Sequence, residues 1–365
     1  MKRWCLYFLM ATLTLTGCNV NKEENSKTQP SSDKKVAETL GDGPDVLLTN
    51  LNAPWSIQKN GDTMYVSERT GTIVQWERNT MTRQKVKLKK TLSIKAEAGL
   101  LGFLLTPDFS NNRRAIAYYT YEEGGNSINR IVTLQKDNDT WQELETLIDG
   151  IPSGDFHHGG RIKIGPDDKL YATTGDARNP TIAQDLDSLG GKVLRMNLDG
   201  TIPKDNPIES SYVYSYGHRN PQGLAWDEAG QMYESEHGES AHDELNKIAP
   251  GMNYGWPEIE GDEQKPNMVN PFVHSGEKTW APSGIAYFEG KLYIAALRGE
   301  SLKSYDVQSG KMTDIITDSG RIRDVFVDED FLYFISNNTD GRGNPDEKDD
   351  KLYRVPLSRL KGNMP

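Results

Sequence analysis

The sequence predicts an all-β fold, a six-bladed β-propeller of four-stranded antiparallel blades, and three observations carry that reading. A short apolar run, a turn signal and a second apolar run recur six times along the chain. Equivalent runs are spaced roughly 40 to 60 residues apart, which is the propeller range and not that of the helical repeats. Helix-period segments of useful length are nearly absent.

The first pairs are Trp55 to Ile57 with Met64 to Val66, Leu101 to Leu105 with Ala115 to Tyr119, and Ile162 to Ile164 with Leu170 to Ala172. They continue as Leu224 to Trp226 with Met232 to Tyr233, Ile285 to Tyr287 with Leu292 to Ile294, and Val325 to Val327 with Leu332 to Phe334. Between the runs stand GDT, PDFSNN, GPDD, DEAG, FEG and DED, turn chemistry built on Gly, Asp, Asn or Pro. Most hairpins are followed by a third alternating strand, such as Thr72 to Trp76, Lys192 to Met196 or Lys351 to Val355. Two stacked sandwiches would also use short strands, but they do not account for one hairpin recurring six times.

The ends set the compartment. Met-Lys2-Arg3, an apolar stretch from Trp4 to Leu15, and Leu15-Thr16-Gly17-Cys18 resemble a lipoprotein signal with its lipobox, which predicts removal of residues 1–17 and lipidation of Cys18. The apolar core is shorter than the roughly 20 residues of a spanning helix. Residues 18–43 are polar and charged and read as a disordered tether, leaving 44–360 as the propeller domain. The expected location is therefore the cell envelope, with a lipid as the only membrane contact. Cys5 is the one other cysteine and falls in the removed part, so the fold rests on core packing without an internal disulfide. The formal net charge of −11, with 53 acids against 42 bases, argues against a nucleic-acid partner.

All six histidines, His157, His158, His218, His237, His242 and His274, fall in the middle of the chain, several in Gly-rich strings that bound the third and fourth hairpins. Propeller loops ring one mouth of a central channel, where ligands bind. A lone histidine is more often a structural hydrogen-bonder, but three in such loops point to function. His157, His218 and His237 with a water would suffice for a catalytic zinc, which their separation neither supports nor excludes.

The strings FHHGGRIKIGPDDKLYATTGD, GGKVLRMNLDGTIPKDNP, YSYGHRNPQGLAWD, SEHGESAHDELNKI, NYGWP, WAPSGIAYF and RIRDVFVDEDFLYFISNNTDGRG together resemble the soluble PQQ-dependent aldose sugar dehydrogenases, the glucose/sorbosone dehydrogenase-like propellers, from about residue 47 to 358. The resemblance implies oxidation of an aldose at its anomeric carbon to the lactone, with PQQ and Ca²⁺ and an external electron acceptor. It places the general base at His157, a type suited to the task because its ordinary pKa is near neutral. Where the family's glucose-oxidising member has an aspartate before that histidine, this chain has Phe156; Asp155 is the nearest carboxylate in sequence.

By the same resemblance, Glu97 and Gln184 are substrate-binding candidates. Arg219, Asn220, Thr279, Arg321 and Arg323 fall at cofactor-contacting positions, with Arg298 standing in for a lysine that has no match. Guanidinium forks suit the three carboxylates of PQQ, and Arg321 and Arg323 alternate with Ile322, so an extended segment points both to one side. The carbonyls of Gly238 and Glu239 match a pair that holds calcium against the quinone, where Arg219 would also stabilise charge. Asp243, Glu244 and the carbonyl of Tyr254 match a structural calcium site. Two further functions remain open at this stage: a non-catalytic, calcium-stabilised binding propeller, and a metal-dependent sugar lactonase.

Overall fold

A computed structural model describes residues 43–362. The expected signal, Cys18 and nearly all of the tether lie outside the described residues.

The described chain is strand after strand. β1 (Asp45–Leu48) is followed by a meander of β2 (Pro54–Asn60), β3 (Thr63–Glu68), β4 (Thr72–Glu77) and β5 (Thr80–Lys87). The next is β6 (Leu100–Leu105), β7 (Arg114–Glu123), β8 (Asn126–Asp137) and β9 (Thr140–Pro152). Three more groups follow: β10 (Ile162–Ile164), β11 (Leu170–Thr174), β12 (Lys192–Met196) and β13 (Val213–Tyr216); β14 (Pro221–Trp226), β15 (Met232–Glu236), β16 (Glu244–Ile248) and β17 (Val273–His274); and β18 (Pro282–Phe288), β19 (Lys291–Ala296), β20 (Ser301–Asp306) and β21 (Met312–Ile316). The chain ends with β22 (Ile322–Val327), β23 (Phe331–Ser336) and β24 (Leu352–Pro356). All six predicted hairpins are present as β2–β3, β6–β7, β10–β11, β14–β15, β18–β19 and β22–β23. Their alternation of apolar and polar residues and their turn residues suffice to specify them locally.

Two long-range pairings add what local pattern does not contain. β1 pairs antiparallel with β24, with Asp45 opposite Arg354 and the two side chains ion-paired at 3.0 Å, so the start of the domain completes its last sheet. The expected six separate four-stranded sheets are instead five sheets among the described residues, because the meanders β2–β5 and β6–β9 fuse into one of eight strands. The fusion is a parallel pairing of Lys85 to Lys87 with Thr140 to Gln142. Trp141, fully buried, stands at this seam: its ring meets Tyr65, Phe103 and Phe109, and its Nε1 donates to Gln84 Oε1 at 2.7 Å. A Trp in such a site contributes about 3–5 kcal/mol.

The first strands of the groups adjoin around a centre. β2 touches β6 and β6 touches β10; β11 touches β14, β14 touches β18, β18 touches β22, and β22 returns to β2. The apolar cores lie between neighbouring groups, as where Leu100, Phe103 and Trp141 meet Tyr65 and Ile73. The loops at one end of these inner strands therefore converge around the central opening.

Candidate active site

The hairpin β10–β11 builds the corner of the candidate site that holds His157. Its register sets Ile162 opposite Ala172; continued toward the opening, it brings Asp176 alongside His157 and His158. The backbone is tightly apposed here, since a Cβ on Gly175 would lie 1.9 Å from the His157 carbonyl oxygen, so only glycine fits. His157, Ala177 and Arg178 all adopt left-handed backbone at φ of 64°, 54° and 61°, strain of the kind that functional loops hold. His157 Nδ1 lies 2.7 Å from Asp176 Oδ1. A carboxylate only accepts, so Nδ1 carries the hydrogen and Nε2 is left as the basic nitrogen. The same carboxylate accepts from the Arg178 backbone N–H and from Trp256 Nε1, each at 2.8 Å, and is fully buried. The carboxylate that contacts the His157 ring is Asp176, not Asp155, which is exposed.

His157 opens onto a cavity of about 640 Å³. The structure brings Glu97, Arg219, Asn220, Gly238, Glu239, Asp243, Thr279, Arg298, Arg321 and Arg323 to its wall, all from the sequence-derived set. Arg321 and Arg323 do point to one side, each within reach of Asp340, at 2.8 and 3.7 Å. Arg323 is otherwise held by neutral oxygens of Asn337, Gln222 and Ser283. Burial outweighs the pull of Asp340 and lowers its guanidinium pKa to about 9, so an incoming anion would relieve a real penalty. Arg219 lies over the Trp256 ring and donates to the His237 carbonyl at 3.2 Å, while its buried Nε has no partner. Burial opposes ionisation of Glu97, but Arg342, paired with it, and the other cations nearby prevail and hold its pKa near 2.

Three sequence-derived assignments need correction. Gln184 does not line the cavity; its amide bonds Asn253 and the Trp256 carbonyl, so it supports the loop carrying Trp256. The Asp243 carboxylate accepts from the amides of Gly238, Trp280 and Ala281 and from the Thr279 hydroxyl, three of the four on Oδ2, which makes it a clamp that ties these loops together. Thr279 accordingly directs its hydroxyl to Asp243. The Glu239 carbonyl, expected beside calcium, faces Arg219 Nη2 at 3.5 Å. Gly238 is sterically required, because a Cβ would lie 1.9 Å from the Ala241 carbonyl oxygen.

Glu244 and Tyr254 are brought together, but with partners the sequence did not suggest. They line a void of about 10 Å³ with Glu236, Gly238 and Glu260, and with Arg219 and His237 on its wall, room for about one water or one ion. Burial, then Glu236, raises the Glu244 pKa to about 8, and burial raises Glu234. A zinc site of His157, His218 and His237 is not formed: His218 is buried between Glu236 and Ser215 and stacked on Tyr254. Among the described residues the group assembled as possible metal ligands is His218, Glu234 and Glu236.

Residues 51–354 match the family model for glucose/sorbosone dehydrogenases. The chain belongs to this family. Within it, the chain is 38% identical over 250 residues to quinoprotein glucose dehydrogenase B of Acinetobacter calcoaceticus, covering 59% of this chain and about half, 52%, of that one. It is 30% identical to the Escherichia coli aldose sugar dehydrogenase YliI over 81% of this chain and 90% of the relative. The PQQ-bound aldose sugar dehydrogenase of Streptomyces coelicolor superposes with a TM-score of 0.79 at 38% identity, over 85% of this chain and 96% of that one. The family fold is the β-propeller.

Asp176, Trp256, Arg178 and Arg342 were missed by reading the sequence. Asp176 could have been found by extending the GPDD hairpin's register past its strands; the others arrive from loops whose path no local pattern gives.

Proposed function

We propose that this glucose/sorbosone dehydrogenase family member is a PQQ-dependent sugar dehydrogenase that oxidises an aldose at its anomeric carbon to the lactone. The observation that carries the reading is His157, held through Nδ1 by Asp176 on the wall of an arginine-lined cavity of about 640 Å³. In this reading the eight-stranded sheet counts as two blades and the propeller has six.

The residues present fit PQQ: the buried Arg323 is hydrogen-bonded to neutral oxygens with Asp340 no nearer than 3.7 Å, Arg219 Nε is orphaned, and guanidinium forks suit carboxylates. Arg219, Asn220, Arg298, Arg321 and Arg323 would hold it. Once bound, PQQ would supply the quinone that accepts the two electrons of the sugar. His157 Nε2 takes the proton of the anomeric hydroxyl as C1 is oxidised, and Asp176 steadies the resulting imidazolium. Arg219, fixed by its backbone N–H to Glu236 Oε2 at 2.7 Å, opposes negative charge that develops beside it. Glu97 accepts from sugar hydroxyls because it stays ionised.

Calcium is part of the proposal at two places. The Gly238 carbonyl would hold one ion as a Lewis acid. Glu236, Glu244, Glu260 and the Tyr254 carbonyl would hold a structural ion in the small void, since oxygen donors suit Ca²⁺. We also propose export, lipidation of Cys18, the 18–43 tether and delivery of electrons to an external acceptor. Adding PQQ and Ca²⁺ to the tether-free protein and following cofactor reduction on a panel of aldoses tests the reading; no reduction by any aldose overturns it.

A further inference from the structure

Of the arginines at the cavity, one is left without a task. Arg219, Arg298, Arg321 and Arg323 serve the cofactor in the reading above, and Arg342 is paired with Glu97. Arg178 lines the same wall, is exposed, and has no acidic partner among the described residues. It is nevertheless placed with care. Its backbone N–H donates to the very Asp176 oxygen that orients His157, so its position is tied to the base. Its guanidinium lies over the Phe156 ring at 5.6 Å, with Arg342 near the same ring at 5.3 Å. A guanidinium resting on an aromatic ring keeps its in-plane N–H fork free for a ligand.

Phe156 directly precedes the base and stands on the wall of both this cavity and the adjoining one beneath Glu97 and Arg342. The ring therefore supports Arg178 at the cavity wall. In a chain of formal net charge −11, an unspent cation on the wall it shares with His157 suits an anionic substrate group.

We propose that Arg178 makes the site selective for aldoses that carry a carboxylate remote from the anomeric carbon, the alduronic acids. The inference rests on the dehydrogenase reading and deepens it. With C1 at His157 Nε2, the carboxylate is received by the fork of Arg178, and the sugar ring lies along Phe156. The oxidation at C1 is unchanged, and Arg178 exchanges neither proton nor electron.

The test compares D-glucuronate and D-galacturonate with D-glucose and D-galactose on the PQQ- and calcium-loaded protein. The uronates are expected to give higher kcat/KM than the neutral sugars, by about ten-fold, the worth of one charge-assisted bidentate contact. Arg178→Gln should reduce that ratio about ten-fold, mostly through KM. Calorimetric titration of the cofactor-free protein with D-glucuronate should show binding that weakens in Arg178→Gln. Neutral sugars oxidised with no uronate preference, or a ratio that Arg178→Gln leaves in place, overturn this inference alone. Oxidation of none of the four, with another aldose of the panel oxidised, overturns this inference alone; reduction of bound PQQ by no aldose of the panel overturns the dehydrogenase reading, and this inference with it.

Discussion

His157 and Asp176 stand 19 residues apart in sequence, yet their Nδ1 and Oδ1 atoms are 2.7 Å apart, joined across the mouth of one hairpin. That contact fixes the imidazole tautomer. Asp176→Asn should therefore lower kcat by roughly 10²-fold or more while KM moves little, because an amide no longer demands the hydrogen on Nδ1. Rescue of kcat by Asp176→Glu is the second readout, since it restores a carboxylate acceptor for Nδ1. Unchanged kcat in Asp176→Asn contradicts the positioning role.

His158, next to the base, has a different part. It is buried beside Ser153, Asn129 and Thr120, and burial lowers its pKa to about 4. The unfolded chain takes a proton at about pH 6.5, and the native protein only near 4. Stability is then fully present above about 6.5 and is lost as pH falls from there to 4, by up to about 1.4 kcal/mol per pH unit. Melting temperatures from pH 7 to pH 4 should fall more steeply in the wild type than in His158→Gln. Equal slopes would remove His158 from the account.

Calcium should raise the melting temperature by mass action if the void beside Glu244 and Tyr254 holds an ion. Glu244→Gln should weaken that response, and a chelator should reverse it in the wild type. A melting temperature indifferent to both calcium and chelator removes the structural ion.

Much of this was legible in the sequence, and the division is physical. Hairpins such as Ile162–Ile164 with Leu170–Thr174 are specified by alternation and turn residues, all within a few positions. The shared orientation of Arg321 and Arg323 follows from the strand period of two. The pairing of Asp45 with Arg354, and of Val86 with Trp141, depends on segments far apart in the chain, and no local pattern encodes it. Gln184 and Asp243 were read as ligand groups because the family resemblance put them at such positions. Their real partners, Trp256 and the amides near Ala281, come from loops whose path only the fold determines.

Cys18 lies outside the described residues, and its role is a matter for fractionation. Cys18→Ser should leave the protein folded and release it from membranes, because the acyl chains contribute about 0.8 kcal/mol per buried methylene. Persistent membrane association of the Ser variant contradicts the lipobox assignment.

The measurement that reaches the central claim most directly is turnover and PQQ affinity, side by side, in His157→Ala and Arg323→Ala. Loss of a general base costs about 10²- to 10⁴-fold in rate, so His157→Ala should lose turnover by that factor and bind PQQ almost as the wild type does. Arg323→Ala should first weaken PQQ binding, because it removes a carboxylate partner and no proton acceptor. Full turnover in His157→Ala, or a wild type that does not bind PQQ at all, would contradict the account.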